Sequence, residues 1–326
     1  MLESLDKIDK KILYELDSNS RQSIASVAKN SRCSRTVAEY RIKKFIENGI
    51  IFKFSALIDP AKFGLTSWKV YMQFFNREPI QKQVTDFLQS TKNVWWIAKC
   101  EGSFDVMFSI LTKNVHEFYR FLSDFQMRFS KHVLRVEITT HINTEFYSRV
   151  YLLDKPSLKI GDTILRDPRT ENIDKKDIEI LKIISENSRF PSTEIASKIN
   201  TTARIVNYRI SDLKKRKIIT HFRVIPDVNK LGMDYYKVMI SLKDITTEKI
   251  NSIRRFFEIH PNIINSSNSW GPWDIEFEAE VENFKHLTKI INEIRTKFSD
   301  VIKKTEFVLI YEELKATNNF LSYMGA

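Results

Sequence analysis

The sequence predicts an α+β fold built from two tandem copies of one unit, a small three-helix domain followed by a βαββαβ domain. Three observations predict it. Residues 5 to 72 recur at a shift of 168 positions without slipping register: Leu5-Asp6-Lys7-Ile8-Asp9-Lys10-Lys11-Ile12-Leu13 returns as Ile173-Asp174-Lys175-Lys176-Asp177-Ile178-Glu179-Ile180-Leu181. Asn19-Ser20-Arg21 returns as Asn187-Ser188-Arg189, and Lys62, Gly64 and Lys69 return as Lys230, Gly232 and Lys237. A period this long marks a duplicated domain pair, not a solenoid. The other two observations are the helical apolar spacing at the start of each copy and the mixed strand and helix spacing in the rest.

In the first copy, Leu5, Ile8, Ile12 and Leu16 fall on one face at steps of three and four. Ile24, Val27 and Ala28 make a second short face, and Ala38, Ile42 and Phe45 a third. Ser34, and Thr202 in the second copy, stand where an N-cap is needed; Asn48-Gly49 is a stop signal, with Gly49 free to take positive φ. The period then changes: Phe52, Phe54 and Ala56 alternate with Lys53 and Ser55, which predicts a strand turning near Asp59-Pro60.

The body of the first copy reads as a strand over residues 67–75, a helix carrying Ile80, Val84, Phe87 and Leu88, strands either side of Gly102-Ser103, a helix carrying Val115, Phe118, Phe121 and Leu122, and a closing strand over 133–142. The second copy follows the same order and closes with a strand over 301–311. This βαββαβ order is ferredoxin-like, and its helices cover one sheet face only, so the other face calls for a partner sheet or water. The expected domains are residues 1–55, 56–147, 171–225 and 226–326, with 148–170 as the linker.

Three helices with a short second and a polar, basic third match a helix-turn-helix, whose last helix enters the DNA major groove. The positions of the third helix not spent on packing are Arg35, Thr36, Glu39, Tyr40, Lys43 and Lys44; the second copy has Ala203, Arg204, Asn207, Tyr208, Ser211 and Asp212 there. Leaving out Ala203, Ser211 and Asp212, and adding Ser34, Arg41, Thr202, Arg209 and Lys214, these make the candidate DNA-binding set. Arginine pairs with guanine in two places and asparagine with adenine, while hydroxyls and lysines hold phosphates. Any one such residue is more often part of a solvated helix face, and it is the joint pattern occurring twice that favours DNA.

Charge agrees with this reading. Of the net +11, residues 1–55 hold +4 and residues 171–225 hold +5, whereas 226–326 carry −2. A positive excess confined to two equivalent small domains suits a polyanion. Apolar runs such as Val94-Trp95-Trp96-Ile97-Ala98 are far too short to span a bilayer, and the opening residues lack a secretion signal, so a cytoplasmic protein is expected. The two cysteines, Cys33 and Cys100, have no counterparts in the second copy and read as small apolar residues. The six histidines are scattered without metal-ligand spacing, and no glycine-rich phosphate loop or nucleophile elbow is present. An enzyme, a cofactor and a metal are therefore not expected. A ligand-sensing or scaffold protein whose helix-turn-helix units bind proteins stays open as the alternative.

These residues resemble the Lrp/AsnC feast-or-famine transcription regulators. Residues 5–13 are similar to that family's opening helix, residues 34–45 and Glu47-Asn48-Gly49-Ile50-Ile51 to its recognition helix and exit, and Gly102-Ser103-Phe104-Asp105 and Gly271-Pro272-Trp273-Asp274 to its Gly-x-x-Asp turn. The resemblance implies double-stranded DNA binding by paired heads and small effectors, often amino acids, held between bodies; Gly102, Asp105, Gly271 and Asp274 are its candidate effector contacts, with a tight hydrogen-bonded turn as the equal alternative. The chain departs from the family in being duplicated, which lets one polypeptide build the dimer. It also departs at Lys217, which replaces the helix-ending glycine, and before each last strand, where the usual glycine is missing from Ser130-Lys131-His132-Val133 and Ser299-Asp300-Val301-Ile302. Trp95, Trp96 and Trp270 are candidate surfaces for joining such pseudo-dimers into homo-oligomers.

Overall fold

The computed structural model describes residues 5–153, 161–166, 169–316 and 320–321. Each head is a three-helix unit. In the first copy it comprises α1 (Lys7–Ser18), α2 (Ile24–Ser31) and α3 (Arg35–Glu47), and in the second α6 (Lys175–Glu186), α7 (Ser192–Lys198) and α8 (Ala203–Lys215). Asp6 and Asp9 close a reciprocal capping box on α1, and Asp174 and Asp177 repeat it on α6. Ile12, Leu16, Val27, Ala28, Ala38, Ile42 and Phe45 are buried, as their spacing predicts.

The heads continue into β1 (Ile51–Ile58) and β7 (Ile219–Pro226), which pair with each other as a two-stranded antiparallel ribbon. Through this ribbon each head packs on the strand of the other copy. The first head shares a core with Val224, Leu231 and Met233, and the second with Ala56, Ile58, Phe63 and Leu65. The alternation read at residues 52–56 is only partly right: Phe54 and Ala56 are buried, but Phe52 is 72% exposed and Ser55 is buried in the crossing.

The bodies join edge to edge on both sides. The order β2 (Thr66–Phe74), β4 (Val106–Thr112), β3 (Val94–Gly102), β11 (Ile302–Ala316), β8 (Asp234–Leu242), β10 (Ile275–Val281), β9 (Ile263–Trp270), β5 (Val133–Tyr147) returns to β2, so eight strands close into a barrel. Eight strands enclose a space that side chains just fill. The helices α4 (Arg77–Ser90), α5 (Val115–Phe129), α9 (Thr247–Ile259) and α10 (Phe284–Lys297) lie outside, over two apolar layers, one per copy. Inside sits a third layer including Tyr71, Cys100, Phe104, Met107, Met239 and Trp273. The face each body leaves uncovered by helices is thus covered by the other body.

The closing strands run longer than expected, to Tyr147 and Ala316 rather than to 142 and 311, because their second halves pair with the other copy. Residues 140–146 of β5 lie against β9, and 308–316 of β11 against β3. The expected linker is also more than a connection: within 148–170, Val150–Leu152 forms a 3₁₀ turn and β6 (Gly161–Ile164) adds to the edge of β5. Its residues 154–160 and 167–168, and the first four residues of the chain, lie outside the described ones.

Candidate nucleic-acid interface

The third helix of each head starts on a side-chain cap. Ser34 Oγ accepts from the Val37 amide at 3.2 Å, and Thr202 Oγ1 from the Ile205 amide at 3.3 Å. With Ala38, Ile42 and Phe45 turned inward, α3 exposes Ser34, Arg35, Thr36, Glu39, Tyr40, Lys43 and Lys44. Its counterpart α8 buries Val206, Ile210 and Leu213 and exposes Thr202, Arg204, Asn207, Tyr208, Ser211 and Lys214. Tyr40 and Tyr208, at equivalent positions of the two helices, are 65% and 73% exposed. Asp212 is only part-exposed and pairs with Arg216 at 3.2 Å.

Arg41 and Arg209 depart from the expected DNA face. Arg41 bridges Asp6 and Asp9, both at 2.6 Å, and Arg209 bridges Asp174 and Asp177 at 2.8 and 2.7 Å. Hydrogen bonds donated to these carboxylates hold both guanidinium groups above the ordinary arginine range. They lock the third helix onto the capping box of the first, so they position the recognition surface. Their alternation with the packing residues made them look available from sequence, and only their partners' placement removes them.

The two heads meet about a local two-fold axis. Ser20 and Ser188 hydroxyls touch at 2.7 Å, Arg21 Nη1 donates to Ser188 O at 2.5 Å, and Arg189 Nη1 donates to Ser20 O at 2.6 Å. The Ser20 amide donates to Phe222 O at 2.9 Å, and the Ser188 amide donates to Phe54 O at 3.0 Å. These are the reciprocal contacts of an isologous dimer, made within one chain. The repeat Asn-Ser-Arg was visible in the sequence, but its role was not, because a residue on a symmetry axis has no local signature.

Lys217 takes φ 59° where Gly49 takes 66°, so the second head leaves its last helix by the same left-handed residue despite the missing glycine. Gly102 and Gly271 have φ 120° and 154°, and a Cβ on either would lie 3.1 Å from Phe307 O or 2.6 Å from Ile138 O. Each turn therefore abuts the closing strand of the other copy. The carboxylates beside them are occupied: Asp105 Oδ2 accepts from the Phe74 amide and Asp274 Oδ2 from the Leu242 amide, both at 2.7 Å. Each aspartate thus ties its turn to the end of the neighbouring strand, β2 or β8. Of the three tryptophans, Trp270 is 78% exposed, whereas Trp95 and Trp96 face inward onto a cavity under the ribbon. No helix among the described residues is long and apolar enough to cross a membrane, and they hold no histidine, cysteine and carboxylate group that could seat a metal.

A sequence profile for winged helix-turn-helix DNA-binding domains matches residues 5–51 and again 173–220. An HTH-type transcriptional regulator of Pyrococcus abyssi is 32% identical over 146 residues, which is 43% of this chain and 93% of that protein. One from Pyrococcus furiosus is 31% identical over 132 residues, covering 40% of this chain and 84% of its own length. Among solved structures, the siroheme decarboxylase NirDL shares the fold of the entire molecule, with a TM-score of 0.64 over 98% of this chain and 97% of that one, at 11% identity. Two matched heads, each on a ferredoxin-like body, and relatives that are each about one repeat long make this chain a member of the Lrp/AsnC family of DNA-binding transcription regulators, with the family's unit present twice in one polypeptide.

Proposed function

We propose that the chain acts in the cytoplasm as a single-chain pseudo-dimer, not as an enzyme, and that its two heads read two non-identical half-sites of one operator. The observation that carries this reading is the reciprocal Ser20–Ser188 contact, which fixes two heads about a local axis while the helices they present differ in chemistry. A symmetric homodimer is confined to near-palindromes with half-sites about 34–36 Å apart or a multiple of that. A chain exposing Arg35, Thr36, Glu39 and Lys43 on one head and Arg204, Asn207 and Ser211 on the other is not so confined. The likeness to the decarboxylase is one of fold and carries no activity across.

Modulation by a small molecule such as an amino acid, and association of pseudo-dimers through exposed surfaces such as Trp270, belong to the same proposal. The test is selection of bound duplexes, in vitro and from cells. Asymmetric sites are expected, and replacing residues 34–44 by a second copy of 202–212 should turn them into near-palindromes; palindromic sites for the unaltered chain, or sites unchanged by the replacement, would refute the reading. Binding should fall steeply with salt, as phosphate contacts require, whereas salt-insensitive association would favour the protein-scaffold alternative.

A further inference from the structure

The barrel interior breaks the repeat. Lys69 on β2 and Lys237 on β8 occupy equivalent positions, yet only Lys237 has a carboxylate directly across the strand pair. Glu278 stands opposite Lys237, and Ser109 stands opposite Lys69. Lys237 Nζ lies 2.7 Å from Glu276 and 3.2 Å from Glu278. Lys69 Nζ is left 3.6 Å from Glu278, an acid already bonded to Lys237, Tyr235 and Asn265, and stacks 4.1 Å from the Trp96 ring.

Beside Ser109, where the second carboxylate is missing, a cavity of about 220 Å³ opens between the barrel wall and the β1–β7 ribbon. Trp95 Nε1 lines it, buried and without a hydrogen-bond partner, alongside Lys69, whose side chain is 5% exposed. Of the other polar groups in the lining, His141 Nε2 faces Glu276 at 3.6 Å, and Glu313 accepts from Trp96 Nε1 at 2.7 Å. The other two cations, Arg149 and Arg223, are neutralised by Asp17 and, for Arg149, Glu280. Trp96, Phe146, Tyr235 and Ile264 give apolar walls. The volume exceeds the roughly 150 Å³ that takes up benzene and falls below the roughly 300–1,000 Å³ of pockets for drug-sized ligands.

We propose that this cavity binds a small carboxylic acid bearing one aromatic ring, its carboxylate taking beside Lys69 the place that Glu278 takes beside Lys237. Burial and the neighbouring Lys237 pull the Lys69 ammonium down to about 8, so it remains charged at neutral pH and gains from an added anion. Ser55, Ala56 and Leu57 of β1 and Val224 and Ile225 of β7 form the roof, so the ligand touches the ribbon that carries both heads. On the DNA-binding reading, occupancy would bias their disposition.

The test is titration of the full chain with phenylacetate, followed by calorimetry and tryptophan fluorescence. One site per chain is expected, with 2-phenylethanol, which lacks the charge, at least ten-fold weaker. L-phenylalanine serves as the second arm and tells whether an amino acid or its deaminated counterpart supplies the carboxylate. Ser109→Glu supplies the missing group from within and should weaken binding at least ten-fold without lowering the melting temperature; Lys69→Met should do likewise if the first variant misfolds. No binding of either acid, two sites per chain, or unaltered affinity in a folded variant would overturn the proposal. DNA affinity is not the readout, so failure here leaves the operator reading intact.

Discussion

The two heads are alike in backbone and fastened to the rest of the molecule by different chemistry. The first is held by buried ions: Asp17 at the end of α1 meets Arg149 at 2.6 Å and Arg223 at 3.0 Å, and Arg149 continues to Glu280 of the second body at 2.8 Å. At the equivalent positions the second head has Ser185 for Asp17 and Ser55 for Arg223. It is held instead by oil, with Phe320 and Leu321 closing over Ile180, Leu181 and Phe63, and the Phe320 and Phe63 rings meeting edge to face at 5.5 Å. Buried ions demand fixed geometry and leave a costly orphan when one is lost, whereas an apolar contact tolerates small shifts. One head is therefore fixed in orientation and sensitive to charge, and the other is fixed mainly by shape.

The sharpest way to break this comparison is to remove one ion. Arg149→Ala leaves Glu280 buried without its cation and Asp17 with Arg223 alone, and should cost about 3–5 kcal/mol, read by denaturant unfolding, with the first head losing amide protection before the second. Phe320→Ala should cost about 3 kcal/mol, at the lower end for a buried phenylalanine, and reverse that order of protection. Equal loosening of both heads in either variant would contradict the assignment of separate fastenings.

Acid should separate the heads without mutation. Burial alone would raise the Asp17 pKa, but Arg223 and then Arg149 overcome it and hold the carboxyl below its usual 3.8. A depressed carboxylate contributes stability above its unfolded pKa and loses it as pH falls through the folded one. Hydrogen exchange should thus show the first head loosening progressively below about pH 3.8, ahead of the second. The interior adds to acid sensitivity of the barrel, since Lys237 and Lys69 outweigh burial and hold Glu278 at about 2. The smallest effect concerns the helix exits. Lys217→Gly relieves a left-handed lysine and should stabilise by about 0.5–1 kcal/mol, while Gly49→Lys should destabilise, both read from melting curves.

The same contrast explains what could be read from residues alone. Helix faces, caps and the head-to-body order follow from local spacing, and Ser34, Ala38, Ile42 and Phe45 sit as their periodicity requires. The exposed set on α3 and α8 was legible for the same reason: a residue not needed for packing points outward. Arg41 and Arg209 were misplaced because a salt bridge spanning 35 residues leaves no periodic trace. Ser55 was misjudged because two crossing strands bury what a single alternating strand would expose, whereas Phe52, in phase with Phe54 and Ala56, stays exposed at the start of the strand.

The chain's own order of residues determined that there are two copies, that each pairs a cationic helix-turn-helix with a βαββαβ body, and which side chains the recognition helices spare from packing. Tertiary structure decided how the copies meet: the swapped ribbon, the Ser20–Ser188 axis, the closure into a barrel, and the lone Lys69 beside Ser109. The physical reason is range. Propensity, capping and amphipathic spacing act over a few residues and are written along the chain. Pairing between repeats depends on contacts some 170 positions apart, where two repeats of similar pattern offer several partners and only three-dimensional closure selects one.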